Sequence, residues 1–73
     1  MILDNTIEID SPIYADAEYQ PGNQLIVFLR HNQNYLIIDK VSEKTFIQLQ
    51  KDPSHEALKG ILDTHFSRLA NAF

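Results

Sequence analysis

The side chains able to do chemistry are few and widely spaced. His31, His55 and His65 supply the imidazoles, and the chain has no cysteine, which excludes thiolate metal sites and thiol nucleophiles. A metal site in the C-terminal half would need His55, Glu56, Asp63 and His65 to converge. On a helix, positions 55 and 65 lie about 280° apart around the axis and about 15 Å apart along it, so one ion does not reach both. Ser11, Ser42, Ser54 and Ser67 lack the glycine-flanked context of a nucleophile elbow. Two glycines in the whole chain are too few for a phosphate-cradling loop. On its residue types the chain is expected to be no enzyme, with no catalytic residue, no metal and no cofactor.

Binding is the remaining chemistry. Lys44, Gln48 and Lys51 stand at i, i+4 and i+7 of a helical pattern and so share one face. Lys40 precedes them, Arg30 and His31 fall near the same end of the expected sheet, and Tyr35 offers a ring for stacking on a base. Lys40, Lys44, Lys51 and Tyr35 are therefore the candidate nucleic-acid contacts. The charge distribution argues against that partner. Residues 1–24 hold Asp4, Glu8, Asp10, Asp16 and Glu18 without one Lys or Arg, a local charge of −5, while residues 25–73 sum to +1. A polyanion is bound mainly by clustered cations, and a third of this chain would repel one.

Positioning such groups requires elements, and 73 residues of which 44% are apolar allow one small globular domain. No apolar run approaches the ~20 residues of a membrane span. The opening Met1-Ile-Leu-Asp has no basic n-region, so a secretory signal is not expected. Small extracellular domains usually need disulfides, so the cytoplasm is the expected compartment. Three strands are predicted: Ile13–Tyr19, Leu25–Arg30 and Tyr35–Lys40, the last two rich in β-branched and aromatic residues. Gln20-Pro-Gly-Asn23 suits a type II turn between the first pair, and His31–Asn34 a hairpin loop between the second. Ser42 is an N-cap candidate for a helix carrying Phe46 and Leu49. Asp52-Pro53 resembles the start of a second helix, whose stripe runs through Ala57, Leu58, Ile61, Leu62, His65, Phe66, Leu69 and Phe73. Thr6–Ile9 has the pattern of an additional opening strand, within a 1–10 segment that otherwise reads as an acidic arm. The expected fold is α+β: a three-stranded antiparallel meander followed by two amphipathic helices.

Both faces of the central hairpin are apolar. With both helices on one side of the sheet, Ile26, Phe28, Leu36 and Ile38 are expected to form an outward apolar patch. A patch of that kind on a soluble domain marks an interface. The alternative cover is the N-terminal segment with Ile2, Leu3, Ile7 and Ile9.

The order of these elements resembles the KTSC domain, a short bacterial module named for its place at the C-terminus of some lysyl-tRNA synthetases. The resemblance runs over residues 11–66, through Ser11, Ile13, Tyr19, Leu25, Val27, Leu29, Tyr35, Val41, Phe46, Leu49, Ser54 and Phe66. Ile37 stands where that family has a second tyrosine, and Ser42 where it has a proline. The resemblance implies a small α+β module, and its synthetase setting implies RNA as a ligand. The leading expectation from the residues is instead a small binding module that contacts protein, either a partner chain or a second copy of itself. RNA binding stands second. A small acidic phage or mobile-element inhibitor, presenting its N-terminal carboxylates as a polyanion mimic, stands third.

Overall fold

The computed structural model describes residues 5–71; Ile2, Leu3, Asp4 and Phe73 lie outside them. Seven elements follow in order: β1 (Thr6–Glu8), β2 (Tyr14–Gln20), β3 (Gln24–Leu29), β4 (Asn34–Ile38), α1 (Glu43–Lys51), α2 (His55–Thr64) and β5 (Ser67–Asn71). The expected three-stranded meander is corrected by this order. The sheet has five antiparallel strands, β1-β2-β3-β4-β5, and β5 comes after both helices.

Local chemistry explains most boundaries. Gly22 takes φ +90° and Asn23 φ +63°, so the Pro21–Asn23 turn uses glycine's freedom and asparagine's tolerance of the left-handed region. Ser42 caps α1, its Oγ accepting from Thr45 N at 3.1 Å. The cap of α2 is Ser54, whose Oγ accepts from Ala57 N at 3.1 Å; Asp52, of the Asp52-Pro53 pair expected to start that helix, instead closes α1, its N–H donating to the Gln48 and Leu49 carbonyls. The second helix ends at Thr64, whose hydroxyl bonds back to the Gly60 carbonyl at 2.9 Å. His65 is already extended, and the chain returns to pair with β4.

Both helices cover one side of the sheet. Phe46 and Leu49 of α1 and Leu58 and Ile61 of α2 join Ile9, Ala17, Leu25, Val27, Ile38 and Val41 in one buried cluster. Ile7, opposite Ala17 in the β1–β2 register, packs against the same cluster, so β1 adds to the core side and does not cross the other face.

Tyr19 ties sheet to helix. Its ring stacks on Phe46 with centroids 4.9 Å apart, and its hydroxyl donates to the Val41 carbonyl at 2.7 Å, with Asn23 Oδ1 at 2.9 Å sharing the proton. Burial first, and the Glu43 carboxylate second, push this phenol above its ordinary value. A folded state that keeps Tyr19 neutral while the unfolded chain ionises it is stabilised fully below pH ~10 and loses that stability as pH rises toward the folded value. Tyr19→Phe is expected to lower the urea-unfolding free energy by about 1 kcal/mol at pH 8. The gap from the parent should narrow between pH 10 and 11, which urea titrations at the two pH values would measure.

Candidate protein-contact face

The open side of the sheet is set by cross-strand register, because directly opposed residues share a face. One row crosses all five strands: Thr6–Glu18–Ile26–Ile37–Arg68. A second joins Phe28, Tyr35 and Ala70. The Phe28 and Tyr35 rings meet at 6.0 Å with a 45° tilt. Ile26, Phe28, Tyr35 and Ile37 thus form one apolar strip, and with Glu18, Gln20, Pro21 and Gln24 they line a shallow depression of about 550 Å³. Phe28 is 40% exposed. No helix or described loop lies over this strip.

Charge flanks the strip unequally. On the β4–β5 side, Asp39 accepts from Arg68 Nη1 at 2.7 Å and from Gln24 Nε2 at 2.9 Å, so that carboxylate is neutralised inside the fold. On the β1–β2 side stand Glu8, Asp16 and Glu18. Gln20 donates to Glu18, and the Arg68–Asp39 contact is the one ion pair among the described residues. The open face therefore runs from an acidic margin through an apolar centre to a compensated ion pair.

The residues singled out from the sequence divide between the two faces. Ile26 and Phe28 are on the open side as expected, but Leu36 and Ile38 are not. Leu36 opposes Val27 and Ile38 opposes Leu25, so both point toward the helices; Ile38 is fully buried and Leu36 packs against the core. Tyr35 and Ile37 take their places on the strip. The reason is arithmetic: a hairpin loop with an even number of residues places even positions of one strand on the same face as odd positions of the next. That signal was present in the four-residue spacing of the predicted loop.

The candidate nucleic-acid group is not brought together. Lys40, Lys44 and Lys51 are all exposed. Lys44 and Lys51 belong to α1, on the helix-covered side, while Tyr35 faces the opposite side, with the sheet between them. Arg30 is occupied internally. Its Nε donates to the Ser11 carbonyl at 3.0 Å, and its Nη2 donates to the Ile9 and Tyr14 carbonyls at 3.2 Å each, stapling the irregular passage between β1 and β2.

One contact had no sequence signal, since its partners are 44 positions apart. Ser11 Oγ lies 2.7 Å from His55 Nδ1, and the His55 ring stacks on Tyr14 at 5.5 Å. The Ser11 oxygen also accepts from the Ile13 and Tyr14 amides at 3.0 and 3.1 Å. With both lone pairs engaged, its proton is directed to Nδ1. The serine, 8% exposed, so acts as a latch between the segment before β2 and the first turn of α2. Together with the Asp10 amide donating to the Pro53 carbonyl at 2.8 Å, it fastens the N-terminal segment to the start of α2. Among the described residues no three His, Asp or Glu side chains cluster as metal ligands, and no helix is long and apolar enough to cross a membrane. Comparison with known proteins finds no matching family model, no matching curated protein and no matching solved structure.

Proposed function

We propose that this chain is a non-catalytic binding module that docks a partner protein on its open sheet face. One observation carries the reading: the Ile26–Ile37 and Phe28–Tyr35 pairs form a continuous apolar strip on the face that neither helix covers. Soluble domains that leave such a strip in water use it for contact. The margin of Glu8, Asp16 and Glu18 favours a partner whose rim is basic, since complementary charge steers encounter and sets register. The same margin weighs against RNA, as does the placement of Tyr35 on the opposite side of the sheet from Lys44 and Lys51. A reducing compartment such as the cytoplasm suits a chain without cysteine.

The test is site-specific photo-crosslinking in extract of the cell the chain comes from, with a photoreactive phenylalanine at position 28 or at position 44. The expected result is a discrete protein adduct from position 28 and none from position 44. Adding Phe28→Asp to the chain, with the photoreactive group moved to position 35, should reduce the adduct about tenfold or more. Equal labelling from both positions, or an adduct that survives Phe28→Asp, refutes the reading.

A further inference from the structure

The two edges of the sheet are built differently. β1 is three residues long and carries Glu8, a short acidic edge of the kind that resists pairing. β5 is five residues long, Ser-Arg-Leu-Ala-Asn, without proline, and its register against β4 runs unbroken from Ser67 to Asn71. Its one charge, Arg68, is tethered to Asp39 on the open face. Leu69 lies on the helix side, opposite Leu36, yet is 62% exposed.

The direction of the β5 backbone groups follows from one bond. Asp39 N donates to the Phe66 carbonyl at 3.0 Å, which makes Phe66 a hydrogen-bonded position toward β4. Alternation along an antiparallel ladder then turns Arg68 and Ala70 toward β4, and Ser67 and Leu69 outward.

We propose that β5 pairs antiparallel with β5 of a second copy, about a two-fold axis through Leu69, to give a continuous ten-stranded sheet. Leu69 exchanges both backbone hydrogen bonds with its own counterpart, and Ser67 falls opposite the other copy's Asn71. Leu69 and Ser67 face out from the sheet, so their backbone groups are not the ones that pair with β4. On the helix side the pairing completes a row Val27–Leu36–Leu69 that continues into the same row reversed, covering the exposed Leu69. On the open face Arg68 falls opposite Ala70 of the other copy, so no like charges are opposed. The carboxylates of β1 and β2 are at the far edges, where the mutual repulsion of two chains of charge −4 is least. The axis is perpendicular to the sheet, so both open faces lie on one side of the assembly. This pairing stands independently of what docks on that face.

Sedimentation of the full chain across a concentration series is the test. The expected result is a mass rising from 8.4 kDa to twice that value. Leu69→Lys, at an exposed position, should raise the dimer dissociation constant about tenfold or more, as a charge at the centre of a paired edge does. Phe28→Asp should leave the dimer unchanged, so a failed docking face and a failed edge give different results. A register-specific check uses single cysteines in this cysteine-free chain. Leu69→Cys should cross-link with its counterpart under mild oxidation at least about ten times faster than Ser67→Cys, whose counterpart would be roughly 14 Å away. A chain that stays monomeric to millimolar concentration overturns the proposal, as does a dimer indifferent to Leu69→Lys or cross-linking equally well from both positions.

Discussion

Ile38→Asp should abolish folding, while Ile37→Asp, one residue away, should leave a folded chain. Ile38 is fully buried and pairs with Leu25 beneath the helices. A carboxylate there has no cationic partner, and burying it costs several kcal/mol even after its proton is retained. A chain of this length has a total stability on the order of 4–11 kcal/mol, so that cost consumes most or all of it. Ile37 instead lies on the open face between Ile26 and Arg68. Its replacement loses partial burial and strand preference, about 1 kcal/mol. Far-UV circular dichroism and thermal melts of the two variants give the answer directly. Two folded variants, or two unfolded ones, would mean that the face assignment of β4 is wrong. The same pair bears on function, because Ile37→Asp places a charge in the proposed contact strip without touching the core.

A second contrast separates leucines that share one expected helical stripe. Leu58→Ala should destabilise the domain by about 3 kcal/mol, within the range for a fully buried leucine whose cavity does not collapse. Leu69→Ala should cost under ~0.5 kcal/mol in the monomer, as surface substitutions do. Leu58 is completely buried in α2, whereas Leu69 sits 62% exposed in β5. Urea unfolding at low protein concentration, where self-association does not contribute, measures both. If Leu69→Ala cost as much as Leu58→Ala, Leu69 would be core and the last segment would continue the helix.

Much of the local structure is legible in the residues. The β-branched runs give β3 and β4, Pro21-Gly22 gives the turn before them, and Ser42 with the Phe46–Leu49 spacing gives α1. Each of these rests on interactions within a few residues, which composition and period report. The open face is half legible: Ile26 and Phe28 follow from alternation within β3, but their neighbours depend on the pairing of β3 with β4. A register that opposes Phe28 to Tyr35 brings in Tyr35 and Ile37 and sends Leu36 and Ile38 to the core.

The final segment shows where sequence reasoning stops. Phe66 and Leu69 are three apart and extend the stripe of α2, so a helical reading is locally consistent. A five-residue segment is too short for period alone to separate helix from strand, and the outcome depends on what is beside it. Here β4 offers an unpaired edge, and pairing it with Ser67–Asn71 satisfies main-chain donors and acceptors on both strands. The Ser11–His55 latch and the Arg30 staple are of the same kind, since they join groups 16 to 44 positions apart. By itself the sequence determined the absence of thiol chemistry, the acidic N-terminal third, the central hairpin and the first helix, all properties of composition or of neighbouring residues. Only the tertiary structure decided the five-stranded sheet, the membership of its open face and the strand at its end, because those depend on backbone hydrogen bonds between segments that local periodicity does not relate.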